Sequence, residues 1–158
     1  MEFVRQQSLP LRRTAFLLCG DWHRAEDLVQ AALVKLYRVW SRVHRMDQPT
    51  AYARRVLVRT AIDESRRFWR RERAAESVPD HAGPDQDTDM SVDLRRALAA
   101  LPARQRATVV LRHWEDLPVH EVAKLLRCTE GTVKSQSAKA LTALRTMIDA
   151  DRLLEGYR

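Results

Sequence analysis

Apolar residues recur at helical spacing along most of the chain. Between Trp22 and Arg42, the positions Ala25, Leu28, Val29, Ala32, Leu36 and Trp40 follow i, i+3, i+4, i+7 spacing, the stripe of a helix with one buried face. Ahead of it the pattern predicts a helix over Leu9 to Cys19, stopped at Gly20, with Asp21 before the second helix. The stretch from Val43 to Pro49 breaks the period and reads as a loop. Thr50 is placed to cap a further helix reaching about Arg73. Beyond a polar gap the period resumes. Ser91 or Asp93 can cap a helix through Leu101, and Pro102 suits the first turn of one reaching about Trp114. Glu115 to Pro118 reads as a turn, Val119 to Arg127 as a short helix, Cys128 to Glu130 as a tight connection, and Thr132 to about Asp149 as a long helix. Short helix, tight turn, second helix is the helix-turn-helix plan.

No stretch alternates apolar and β-branched residues as a strand does. Residues 79–91 hold two prolines, a glycine and no apolar period, which marks a linker. The fold class expected is all-α: two small helical domains, 1–73 and 94–158, joined by a flexible acidic linker, 74–93. Cores this small are marginal, so a partner is expected to steady one or both halves.

Composition narrows the choices. The 158 residues are 31% charged and 45% hydrophobic, and two cysteines exclude a disulfide scaffold. No apolar run approaches the roughly 20 residues of a membrane span. The start, Met1-Glu2-Phe3-Val4-Arg5, lacks the apolar core of a signal peptide, so a cytoplasmic chain without membrane insertion is expected. Charge is unevenly placed. Residues 1–73 carry 16 Lys and Arg against 8 Asp and Glu; residues 74–93 carry six acids and no Lys or Arg; residues 94–158 carry 12 against 7. Two basic blocks around an acidic strip suit a polyanion held at two places.

Two stretches can carry that contact. On the helix after Thr50, Arg55, Arg59, Arg66 and Arg70 fall within about 60° of one another, with Asp63 beside them and Arg67 flanking. Such a guanidinium stripe can follow successive phosphates. Phe68-Trp69 can stack on an unpaired base or pack at a helix end. In the last helix, Val133, Ser137, Ala140, Leu141, Leu144 and Ile148 form the inward stripe. Lys134, Ser135, Ala138 and Lys139 then face outward near the helix N-terminus, as major-groove readout requires. Gly131 would let backbone approach backbone there. Enzyme signals are weak: no glycine-rich phosphate loop, no Gly-x-Ser-x-Gly and no His-Glu-x-x-His. No cofactor is expected. A metal site from His113, His120 and Cys128 is conceivable, against the plainer reading of packing and surface roles.

Several of these segments resemble a known family. Ala25-Glu26-Asp27-Leu28-Val29-Gln30, and Ala51-Tyr52-Ala53-Arg54-Arg55-Val56 leading to Thr60-Ala61-Ile62-Asp63, look like region 2 of sigma-70-family initiation factors. Leu101 to Arg106, Val109 to Leu117, Glu121-Val122-Ala123 and Glu130 to Gln136 look like region 4. The two-region plan resembles the extracytoplasmic-function (ECF) group, and the Val-Lys-Ser-Gln form its SigE-type actinobacterial branch. The resemblance implies a promoter-specificity subunit of bacterial RNA polymerase. Asp27 and Gln30, with Val34 and Lys35, would bind core polymerase at the β′ clamp helices, and the β flap is a second implied partner. The loop Val43 to Gln48, with Arg45, Met46 and Asp47, would hold a base flipped out of the −10 element. Arg55, Arg59, Asp63 and Arg66 would meet the opening strand. Lys134, Ser135, Ala138, Lys139 and Thr132 would meet the −35 element, with Arg112 on its phosphates. The acidic strip would lie in a polymerase channel built for nucleic acid. The group is often held by an anti-sigma factor.

Three positions depart from the family's habit. Ala31 stands where many relatives have an acid, so one polymerase-facing charge is missing. Arg127 stands where glycine often serves a positive φ, which predicts a strained or altered turn. Ala138 replaces a bulkier contact residue. The residues taken alone also leave a rival open: a stand-alone helix-turn-helix regulator, which would leave Asp27, Gln30, Arg55 and Arg59 without a task.

Overall fold

The computed structural model describes residues 2–72 and 92–156, with side chains for 2–65 and 92–156. The proposed linker at 79–91, the possible cap Ser91, and the side chains of Arg66, Arg67, Phe68, Trp69 and Arg70 lie outside the described residues. Every element among those described is helical, and they group into two compact units.

The first unit is built from α1 (Glu2–Cys19), α2 (Trp22–Arg38), the single turn α3 (Trp40–Val43) and α4 (Pro49–Glu72). Helices α1, α2 and α4 pack pairwise. Their shared core is Leu11 and Ala15 from α1, the stripe Ala25, Leu28, Val29, Ala32 and Leu36 from α2, Val43, and Ala53, Leu57 and Ala61 from α4. Burying a leucine contributes about 1.5–3 kcal/mol, and the alanines let the helix axes approach. Gly20 adopts φ 75° and donates to Phe16 O at 2.8 Å, ending α1. Asp21 then caps α2, its Oδ1 accepting from His23 N at 2.8 Å and Arg24 N at 3.4 Å.

Four boundaries differ from expectation. Helix α1 begins at Glu2, not Leu9, and runs through Pro10. Proline there removes one amide donor, yet Leu11 and Ala15 after it are buried and Phe3 before it packs against the same core, so the helix is held on both sides of the proline. Helix α2 stops at Arg38, because Val39 leaves helical geometry (φ −115°, ψ 12°); Trp40 therefore belongs to α3, where it packs against Phe3 with centroids 4.9 Å apart. Val43 is fully buried rather than part of a loop, so the loop is 44–48. Helix α4 opens at Pro49, with Tyr52 N bonding Gln48 O at 3.3 Å, so Thr50 lies inside it and is not its cap.

The second unit comprises α5 (Val92–Ala100), α6 (Ala103–Val109), α7 (Val119–Leu126) and α8 (Glu130–Gly156). Val92 and Asp93, counted with the linker by charge, are helical. Pro102 precedes α6 rather than opening it. Helix α6 does not run straight to Trp114: Val110–Trp114 winds as a π-helical turn, closed by Glu115 N to Val110 O at 3.0 Å. Helix α7 ends in a Schellman motif. Arg127 sits at φ 52°, ψ 51°, its amide bonding Lys124 O at 3.3 Å while Cys128 N bonds Ala123 O at 3.0 Å. The turn geometry that glycine usually serves is thus kept with arginine in it, and of the two outcomes expected there, strain applies. Helix α8 starts at Glu130, not Thr132, and extends beyond Asp149 to Gly156. Its last buried residue is Leu144, and Leu153 and Leu154 stand exposed near its end.

Candidate functional site

Three exposed faces carry the residues singled out by the sequence. The first lies on α2, opposite its buried stripe. Asp27, Gln30 and Val34 are exposed along it, and Ala31 between them is half-buried. Glu26 pairs with Arg12 of α1 at 2.6 Å, both side chains partly in water, and Arg12 also lies 5.4 Å from the ring centre of Trp22. That pair, half in water, contributes modestly. Lys35 is exposed at the rim, and its Nζ donates to Thr60 Oγ1 of α4 at 3.1 Å. Tyr37, 74% exposed, continues the surface one turn on. Sequence reasoning missed it, although an aromatic residue off the apolar stripe of an amphipathic helix was the available signal.

The second face joins the loop 44–48 to α4. Arg45, Met46 and Asp47 are all exposed. The loop's base is fixed by backbone bonds: His44 N to Trp40 O, Arg45 N to Arg42 O and Met46 N to Val43 O, at 3.0–3.2 Å. A cation, a thioether and a carboxylate are therefore offered from a short, anchored segment. On α4, Arg55, Arg59 and Asp63 are exposed at i, i+4, i+8, one row along the helix. The side chain of Arg66, the next position expected in that row, is outside the described residues.

The third face is the N-terminal half of α8. Thr129 caps it, Oγ1 accepting from Thr132 N at 3.1 Å. The Thr132 hydroxyl lies 2.9 Å from that same Oγ1, so it serves the cap as well as facing outward. Val133, Ala140 and Leu144 are buried; Lys134, Ser135, Ala138 and Lys139 are exposed together. Gly131 is exposed, and a Cβ there would meet nothing nearer than Thr129 Oγ1 at 3.9 Å. The expected close backbone approach at Gly131 is therefore absent, because the cap side chain rather than another backbone lies over it.

Arg112 emerges from the π-helical turn. Its Nη1 donates to Leu117 O at 2.7 Å, which braces the turn leading into α7. Among the described residues, no cluster of three or more His, Cys, Asp or Glu is placed to hold a metal, so His113, His120 and Cys128 are not gathered into a site. No described helix is long and apolar enough to cross a membrane.

Comparison with known proteins follows the same division. The sigma-70 region 2 family matches residues 3–71, and the sigma-70 region 4 family matches residues 91–144. An RNA polymerase sigma-E factor of Streptomyces avermitilis is 37% identical over 156 residues, covering 94% of this chain and 84% of that protein. The sigma-E factor of Streptomyces coelicolor is 36% identical, covering 91% and 82%. Among solved structures, the sigma factor RpoE of Bartonella quintana, crystallised in complex with the anti-sigma factor NepR, superposes with a TM-score of 0.69 at 25% identity, covering 95% of this chain and 98% of that one.

Proposed function

The chain belongs to the sigma-70 family, as an ECF-type sigma factor closely related to actinobacterial sigma-E factors, and from that premise we propose how its two units share the work. It is a promoter-specificity subunit: it binds core RNA polymerase and recognises promoter elements, without catalytic chemistry of its own. Such a subunit acts in the cytoplasm, beside the chromosome.

In this reading the first unit docks on core polymerase through Asp27, Gln30 and Val34 of α2. The loop carrying Arg45, Met46 and Asp47 holds an unpaired base of the −10 element, and Arg55, Arg59 and Asp63 lie along the strand being opened. Opening is driven by binding: a base captured outside the stack offsets its unstacking cost of a few kcal/mol. The second unit places α8 in the major groove of the −35 element, with Lys134, Ser135 and Lys139 at base edges and phosphates. The Ala138 methyl can contact a thymine methyl. Arg112 reaches phosphate with the N–H groups that Leu117 does not use. An anti-sigma partner is part of the proposal, by likeness to the Bartonella complex.

The observation that supports this most is the exposure of Lys134, Ser135 and Lys139 just past the Thr129 cap, on a helix seated by Val133, Ala140 and Leu144. Run-off transcription tests it. Core polymerase with the chain should start at a defined promoter set. Identical transcripts with and without the chain would overturn the reading.

A further inference from the structure

Lys35 differs in kind from the other residues on its face. Its Nζ donates at 3.1 Å to Thr60 Oγ1, 25 residues away on α4. Thr60 is only 2% exposed and donates its own proton to Val56 O at 2.7 Å, which turns its lone pairs toward the ammonium. Elsewhere α2 and α4 meet through apolar side chains such as Leu28, Leu36, Leu57 and Ala61. Apolar contact holds two helices together but is non-directional. A hydrogen bond has a required length and angle, so this one sets the register of one helix on the other. Its position gives that register a use. Lys35 follows Val34 of the polymerase-facing surface, and Thr60 follows Arg59 of the DNA-facing row.

We infer that Lys35 is a positioning residue rather than a polymerase contact: through Thr60 it fixes the DNA-facing row of α4 relative to the docking face of α2. The inference rests on the proposed docking of α2 on core polymerase. A shift of one residue along α4 would displace Arg55 and Arg59 by about 1.5 Å, enough to lose hydrogen-bond geometry with an opening strand.

The test uses the full chain with Lys35→Met, Thr60→Val, both together, and Thr60→Ser. Thr60→Val keeps the branched shape and Lys35→Met keeps the aliphatic stem, so both should fold. In the free chain, thermal melting should show coupling, the double variant melting no lower than the less stable single one. In reconstituted holoenzyme, affinity for core polymerase should stay within twofold of the unaltered chain. Open-complex occupancy, read by permanganate reactivity at saturating core, should fall roughly fivefold for each single variant and no further for the pair, the scale of one net hydrogen bond. Thr60→Ser should restore it. The inference is overturned if Lys35→Met weakens core binding tenfold while Thr60→Val does not, or if the two losses multiply. Coupled melting with unaltered open complexes overturns the positioning role alone. Failure of the unaltered chain to bind core polymerase overturns the docking assignment along with it.

Discussion

Arg104 donates from its guanidinium to the backbone carbonyl of Leu126, 3.1 Å away and 22 residues along the chain. That carbonyl is one of the four left unpaired at the end of α7. Arg106 does the same for α5, bonding Leu98 O at 2.9 Å and both Ala99 O and Leu101 O at 3.0 Å. Arg112 bonds Leu117 O at 2.7 Å. Three of the twelve basic residues in 94–158 are therefore engaged in holding turns. Charge counted along the chain overstates the cationic surface offered to DNA.

The first prediction separates these roles. Arg106→Met takes the guanidinium from three carbonyls; Leu98 O keeps its bond from Leu101 N at 3.1 Å, and those of Ala99 and Leu101 lose the guanidinium donor. The chain should lose about 2 kcal/mol of stability, seen as a fall of about 10 °C in the melting of the second unit. The salt dependence of promoter binding by holoenzyme should keep its slope.

Lys134→Ala and Lys139→Ala should behave in the opposite way. Both side chains are exposed and seat nothing. Each variant should melt like the unaltered chain, while the log–log slope of holoenzyme affinity against salt drops by about one. A gel shift without polymerase separates the rival regulator reading: the chain alone should not retard a promoter duplex at moderate salt.

Arg127→Gly should stabilise. Arginine at φ 52° costs about 1–2 kcal/mol relative to right-handed geometry, and glycine removes that cost while losing more freedom on folding. The net gain should be about 0.5–1 kcal/mol, checked by denaturant midpoint at constant slope.

Thr129→Ala removes the cap of α8 and should cost about 1 kcal/mol. The exposed residues Lys134 and Ser135 lie in the second turn beyond it, and Ala138 and Lys139 in the third, so fraying from the lost cap should also weaken −35 binding in a footprinting titration.

Asp27→Lys inverts the charge of an exposed residue on α2 and should leave melting unchanged. Core polymerase affinity should fall roughly tenfold, read by displacement of a labelled unaltered chain.

Much of this architecture was legible because it is local. Gly20 and Asp21 announce a stop and a start in adjacent residues. The apolar period of α2 identified its buried face, and that of the last helix placed Lys134, Ser135, Ala138 and Lys139 outside. What escaped depends on distant partners. Val39 breaks α2 and hands Trp40 to a separate turn that packs on Phe3, far away in sequence. Pro10 sits mid-helix because the packing of Phe3, Leu11 and Ala15 on the core outweighs a missing donor. The carbonyls that engage Arg104, Arg106 and Arg112, and the hydroxyl that engages Lys35, cannot be read from composition, since a cation looks the same whether it meets phosphate or a helix end.

The widened coil at Val110–Trp114 holds one residue more than regular winding would use. A wide turn takes up its additional residue within one revolution, so a chain shorter by one codon there could wind as an ordinary helix with the outgoing segment keeping its direction. The packing of α6 on α8 would then survive the change. Length at this point of the chain can drift by one residue without carrying the exposed row of α8 along with it.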